Sequence, residues 1–304
     1  VSPAPPREDR LGLALLLCLG AFCSFTLLDT SAKWLAGAGL PVLQVVFIRY
    51  AGHFAASAAM FLPRRGLSVF RSNAPRVQLG RAFFLLVGTA CNFAALSYLP
   101  LTVTTSIFFA TPVLVSLLAV PILGERIGLR RFLAILVGFC GVLIITEPWG
   151  AAFHWAMLFS LASLFCASMY FVLTRMIAGI DDNPTGQMIT SGIPAVALAP
   201  FVVAGWVWPP DALSWGAAVA IGLLGVGGHT LITVGYRYAP AATLAPTVYS
   251  QILYATVISW AVFSQPPDLR TLLGAAVIVG AGLYIWLRER ALRKATSLPL
   301  RAGR

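Results

Sequence analysis

The chain has 304 residues, 59% of them hydrophobic and only 10% charged, with a mean hydropathy of +0.87 and a net charge of +11. A soluble domain carries roughly 45–50% apolar and about 25% charged residues, so a water-soluble enzyme, a disordered chain, a collagen and a basic nucleic-acid-binding domain are all excluded. The composition is that of a polytopic membrane protein.

A helix needs about 20 mainly apolar residues to cross a bilayer core of roughly 30 Å. Ten such segments follow one another at 11–35, 41–62, 78–98, 103–123, 129–146, 155–177, 185–205, 215–237, 242–263 and 269–287. Proline or glycine marks most of the joins, from Gly39-Leu40-Pro41 to Pro266-Pro267. The first run is too long for the apolar core of a signal peptide, and Asp29 and Lys33 near its end fit no cleavage pattern, so it is read as an anchored helix. That span carries Asp29 and Lys33 four apart on one face, and the second carries Arg49 with His53 one turn later. Asn92 lies near the middle of the third span, and Thr104, Phe108, Thr111 and Pro112 follow in the fourth. The sixth span has Ser160, Ser163, Tyr170 and Thr174 along one face. The eighth has His229, Thr233 and Tyr236 beside Gly222, Gly225, Gly227 and Gly228. The ninth has Thr243, Thr247, Gln251 and Tyr254 at helical spacing, with Pro246 among them.

With the N-terminus placed in the cytoplasm, 18 of the 21 Lys and Arg residues fall at inside loops and tails, one falls outside, and Lys33 and Arg49 lie within helices. This satisfies the positive-inside rule and puts both termini in the cytoplasm. The basic stretch from Arg288 to Arg304 reads as an anchor on anionic lipid rather than a nucleic-acid site.

The two halves resemble each other at a spacing of about 140 residues. Tyr98-Leu99-Pro100 answers Tyr238-Ala239-Pro240, Leu129-Arg130 answers Leu269-Arg270, and Leu133, Val137 and Leu143 answer Leu273, Val277 and Leu283. Lys33-x-x-Ala36-Gly37 answers Arg175-x-x-Ala178-Gly179, and Pro41-x-x-Gln44 answers Pro184-x-x-Gln187. Five spans per half is an odd number, so the second half, 149–304, enters the membrane upside down relative to the first, 1–148. Inverted repeats of this kind are the sequence mark of secondary transporters with a substrate site between the halves.

Lys33, Arg49, Pro112, Gly124-Glu125, Gly138 and Gly141-Val142 together resemble the EamA-type carriers of the drug/metabolite transporter superfamily, and within it the aromatic amino acid exporters. The resemblance implies a ten-helix basket with a central cavity lined mainly by helices 1, 3, 4, 6, 8 and 9. The second half departs from the pattern at Ser264-Gln265, where the first has Gly124-Glu125.

The expected fold is therefore an all-α polytopic membrane protein of ten spans in two inverted five-helix repeats. Its expected function is export of aromatic and other neutral amino acids, or of similar small amphiphilic metabolites, by alternating access. A carrier of another small metabolite or drug-like cation in the same fold is the alternative, and a polytopic membrane enzyme a second one. Asn92, Phe108, Thr111, Tyr170, His229, Thr233, Thr247, Gln251 and Tyr254 are the candidate cavity residues, because polar side chains within a span face protein or a wet cavity. For single Ser and Thr residues, interhelical hydrogen bonding is the competing explanation. Asp29, Lys33 and Arg49 form an ion-paired cluster, attract a substrate carboxylate, or in the case of Asp29 carry a coupling proton. Pro112, Gly228 and Pro246 are candidate gating hinges, with kinks and close packing as the alternative. The five cysteines (Cys18, Cys23, Cys91, Cys140 and Cys166) have neither metal nor disulfide spacing, and no cofactor or metal is expected. His154 near Glu147 is the nearest approach to a catalytic pair. The expected partners are a small-molecule substrate and the lipid bilayer, with no nucleic acid; a homodimer is left open.

Overall fold

The computed structural model describes residues 11–124, 129–147, 153–177, 179–235, 238 and 244–296. Among these, the chain is all-helical and contains no strand: α1 (Leu11–Gly37), α2 (Val42–Arg65), α3 (Pro75–Leu96), α4 (Leu101–Phe108), α5 (Thr111–Leu123), α6 (Leu129–Thr146), α7 (Met157–Met176), α8 (Asn183–Val203), α9 (Ala212–Gly235), α10 (Gln251–Phe263) and α11 (Leu269–Thr296). Two 3-10 segments, Gly66–Phe70 and Ala245–Ser250, complete the order. Eight helical stretches are long and apolar enough to span a membrane, and two shorter apolar ones, Phe132–Thr146 and Thr247–Phe263, fall where the remaining spans are expected.

Where the structure departs from the expected spans, backbone chemistry gives the reason. The fourth span is not one helix: it breaks between Phe108 and Thr111. Pro112 has no N–H to give the Phe108 carbonyl, and the Thr111 hydroxyl donates to that oxygen instead, at 2.5 Å. The ninth span begins as a 3-10 segment with Pro246 in its first turn and becomes α-helical only at Gln251. The third span starts three residues earlier than expected, at Pro75, which places Arg81 well inside a helix and buries it.

Turn geometry repeats between the halves. After α1 the chain reverses at Gly39, whose φ of 90° is left-handed. Leu40 N–H donates to Leu35 O at 3.1 Å and Gly39 N–H to Ala36 O at 3.1 Å, and Leu40 packs with Leu35 in the core. This is a Schellman stop with its hydrophobic contact. At 140 residues' distance Gly179 has a φ of 83°, so the left-handed glycine matching it is Gly39 rather than Gly37. Likewise α5 ends on Gly124 (φ 68°) and α10 on Ser264 (φ 53°). The backbone thus repeats at the point where the residue types diverge, and Ser264 adopts a conformation that L side chains resist.

Packing also follows the repeat. Exchanging the halves maps α1 onto α7, α2 onto α8, α3 onto α9, the α4–α5 pair onto the 3-10 segment and α10, and α6 onto α11. Under that exchange the α1–α9 contact answers α7–α3, α2–α9 answers α8–α3, and α4–α5 against α7 answers α10 and its 3-10 segment against α1. α2 with α8 and α6 with α11 each pair a helix with its own counterpart. At the α2–α9 crossing the backbones touch: a Cβ on Gly222 would meet the Gly52 Cα at 2.7 Å. Small residues at a membrane helix crossing allow such an approach.

The interior differs from end to end. Toward the α1–α2 turn it is apolar and filled by Leu35, Leu40, Val45, Leu96, Leu101 and Ile221. Toward the opposite end, where Arg64, Arg65, Arg71 and Arg76 are exposed, polar side chains run between the halves.

Candidate functional site

α2 sets the site. Arg49, His53 and Ser57 are spaced by four, so they form one stripe, and all three are buried. The Arg49 guanidinium lies 4.4 Å from the centre of the Tyr50 ring, and its Nε and Nη1 have no hydrogen-bond partner. Tyr50 Oη donates to Leu85 O at 2.8 Å and lies 2.9 Å from Thr89 Oγ1, which ties α2 to α3. His53 Nε2 is 3.3 Å from Gln187 Oε1 on α8, while His53 Nδ1 and Gln187 Nε2 are unpaired. The His53 ring is 5.7 Å from His229 on α9, and His229 meets Phe25 of α1 edge-on at 5.1 Å. Beside this stripe, Asn92 Nδ2 of α3 donates to Asp29 Oδ1 of α1 at 3.0 Å.

Closer to the basic end, Arg81 joins α3 to α7. Its Nε donates to Thr174 Oγ1 at 2.9 Å, Nη2 to Tyr170 Oη at 3.2 Å and Nη1 to Gln78 Oε1 at 2.6 Å, and the guanidinium covers the Tyr170 ring at 5.0 Å. Gln78 Nε2 passes the chain of bonds to Asp181 at 2.8 Å. Asp181 also accepts from Ser72 Oγ at 2.5 Å and from the Asn73 N–H at 2.8 Å. Burial alone would push the Asp181 carboxyl up, but the bonds from Ser72, Gln78 and Asn73 and the charge of Arg81 outweigh it and hold it below its ordinary value. Next to it Asp182 pairs with Arg65 and caps α8 by accepting the Thr185 N–H at 3.0 Å. A polar seam therefore runs between the halves from Asp29 to Asp181.

Of the residues singled out in the sequence, the structure joins Asp29 to Asn92, His229 to His53, and Tyr170 to Arg81. It does not form the ion-paired cluster expected of Asp29, Lys33 and Arg49: no pair among the three lies within salt-bridge distance. Lys33 turns away and donates to Leu96 O at 2.9 Å and Leu99 O at 2.6 Å, satisfying carbonyls freed at the end of α3. Thr111, Thr233 and Thr247 donate their hydroxyl protons to carbonyls three or four residues back along the chain, at Phe108 O, His229 O and Leu244 O. Gln251 on α10 is buried; Tyr254 one turn on and Phe108 on α4 are half-buried; none of the three makes a side-chain hydrogen bond among the described residues. Pro112 stands in the first turn of α5, so it starts a helix rather than kinking one. Gly228 packs on the Phe25 ring, 2.5 Å from where its Cβ would be. Glu125, Tyr236, Thr243 and the Pro246 side chain lie outside the described residues.

Among the sequence candidates for the site, Arg81, Gln78 and Asp181 do not appear, and Gln187 appears only as the repeat match of Gln44. Arg81 counts there among the inside cations although the expected span 78–98 contains it, because the apolar run begins only after it, at Ala82. The four-residue spacing of Arg49, His53 and Ser57 was the available signal for the α2 stripe.

An EamA-like transporter family model matches the chain twice, over residues 12–147 and 154–287. A riboflavin transporter of Rhizobium johnstonii is 29% identical over 93% of this chain and 94% of its own length. An S-adenosylmethionine uptake transporter of Rickettsia bellii is 25% identical over 86% of this chain and 89% of its own, and a pseudopaline exporter of Pseudomonas aeruginosa 26% over 90% and 95%. A protein crystal structure 21% identical to the chain superposes with a TM-score of 0.61, covering 94% of this chain and 99% of that one, which shows the fold.

Proposed function

Because the chain belongs to the EamA-like transporter family, we propose that it is a secondary carrier that moves a small amphiphilic metabolite across the bacterial inner membrane by alternating access, with both termini cytoplasmic. It is a multi-pass membrane transporter; substrate, direction and mechanism are the proposed part. The observation that carries the reading is the polar seam between two halves whose packing survives their exchange. Two equivalent halves, inverted by their odd span count, give two equivalent arrangements, one open to each side.

In this reading the substrate binds where the seam keeps unsatisfied groups. Arg49, His53 and Gln187 supply donors, while Phe25, Tyr170, His229 and Tyr254 supply ring faces. Asn92, Phe108, Thr111, Thr233, Thr247 and Gln251 complete the wall. Rings for an apolar body and a few polar groups for its charged end suit a neutral or aromatic amino acid. They suit equally the heteroaromatic solutes in the names of the riboflavin and S-adenosylmethionine relatives, so the substrate class is a small metabolite with a ring or apolar body and a polar end. Asp29, held by Asn92, is the proposed coupling carboxylate. Pro112, Gly228 and Pro246 are the proposed bending points.

Counterflow in proteoliposomes tests this, with labelled tryptophan, leucine, riboflavin and S-adenosylmethionine, each with and without a pH gradient. The reading requires saturable, trans-stimulated exchange of at least one. Unsaturable flux would identify a channel, and chemical conversion of a solute an enzyme.

A further inference from the structure

A groove of about 830 Å³ opens on the side of the molecule, away from Asp29 and Arg49. One wall belongs to the first half: Phe54 of α2, Phe70 of the 3-10 segment, and the start of α3. The other belongs to α8 of the second half, through Met188, Ile193 and Val196. Val196 is 75% and Ile193 38% exposed, so this face of α8 meets no other helix. Gly192 lies against the Phe54 ring, which a Cβ there would meet at 2.9 Å, so the ring forms the floor.

The walls are hydrocarbon along the spans, and the polar groups gather at one end. Arg71, Ser72 and Gln78 line that end. Arg71 is exposed, as are Arg64 and Arg76 nearby in sequence, and none of the three has an acidic partner among the described residues. An apolar trough that ends under unneutralised arginines, at the level where a span leaves the bilayer, matches an acyl chain below an anionic headgroup. A water-soluble anion would match the arginines but leave the trough empty. A peptide would have to bury its backbone polar groups against hydrocarbon.

We propose that this groove is a binding site for one anionic phospholipid, with an acyl chain between Phe54 and the exposed face of α8 and the headgroup phosphate on Arg71. Both halves build the site, and Ser72 and Gln78 at its mouth also hold Asp181. The lipid therefore sits across the joint that must shear when the halves move, and its occupancy favours the arrangement in which the Asp181 bonds are made.

Native mass spectrometry of the purified full chain tests the site, titrated with phosphatidylglycerol or phosphatidylcholine. The wild type retains one phosphatidylglycerol in preference to phosphatidylcholine by about fivefold, the ratio expected for one arginine at an anionic headgroup. Arg71→Gln removes that preference, whereas Ile193→Trp, which fills the trough, lowers retention of both lipids. Val196→Trp serves as the second filling variant if Ile193→Trp misfolds, judged by circular dichroism and gel filtration. Equal retention of the two lipids by the wild type, or unchanged retention in both tryptophan variants, overturns the proposal. So does a doubled chain mass that competes with lipid, since a second copy would then occupy the face. The readout is lipid binding alone and stands or falls apart from counterflow.

Discussion

The two ends of the helix bundle are closed by different chemistry. At the α1–α2 turn, Gln44 grips the backbone of Val207 with both halves of its amide: Nε2 donates to Val207 O at 2.5 Å, and Oε1 accepts the Val207 N–H at 2.9 Å. Trp34 Nε1 adds a bond to Ser214 Oγ at 3.2 Å, and the plug of Leu35, Leu40, Leu96 and Leu101 lies beneath. At the basic end, the repeat counterpart of Gln44 is Gln187, and it grips no loop; it faces His53. There the α2–α3 loop is held instead by Asp181 and Asp182, through Ser72, Asn73, Gln78 and Arg65. One end is shut by neutral amides over an apolar core and the other by carboxylates near exposed arginines. The repeat copies the scaffold and leaves the closures free to differ, so the two ends can be perturbed independently.

The largest effect is expected between the two ends, where α2 and α9 cross in backbone contact. Gly222→Leu drives a side chain into the Gly52 backbone, an overpacking cost of about 3 kcal/mol or more. The yield of folded, monodisperse protein should collapse; normal yield would show that the α2–α9 crossing is not packed this tightly. Next comes the buried cation between the ends. Arg49→Met removes a guanidinium with two unpaired donors, so the thermal midpoint holds or rises while counterflow falls by about tenfold, a recognition loss of about 1.4 kcal/mol. A lower midpoint with unimpaired counterflow would make Arg49 a structural residue.

Smaller effects separate the closures themselves. Gln44→Ala removes two hydrogen bonds, worth about 1–3 kcal/mol together. It should widen spin-label distances between positions 38 and 208 and leave those between 67 and 180 unchanged. Asp181→Asn should do the reverse, by about 1 kcal/mol because its bonds lie near water. Smallest is the effect of pH. The Asp181 carboxyl is held below its ordinary value in the folded chain, so its contribution is complete above that value and is lost only as pH falls through the lowered one. Between pH 5 and 8 the 67–180 distance should therefore stay constant; widening on mild acidification would mean that another group controls the basic end.

Much of this was legible from residue order. The spans follow from apolar length, and the repeat from Pro and Leu positions matched at offsets of about 140 residues. Asp29, Asn92, Tyr170 and His229 stood out because polar groups inside a span need partners. The partners themselves were not legible, because they come from distant helices. Lys33 sits four residues from Asp29 yet bonds to the end of α3, since freed carbonyls there offer it two acceptors. Arg81 lies within the expected third span but ahead of its apolar run, so it reads as a cation at the span's edge rather than as a buried partner of Tyr170. The break in the fourth span depended on a proline and a neighbouring threonine acting together, which hydropathy does not register.

In the proposed mechanism the two ends of the bundle open in alternation, never together. With Cys18, Cys23, Cys91, Cys140 and Cys166 replaced by Ala, cysteine pairs at 65 and 182 or at 44 and 207 would lock one end at a time. Either disulfide alone should stop counterflow, and reduction should restore it. Full counterflow with either end locked would contradict alternating access in this chain.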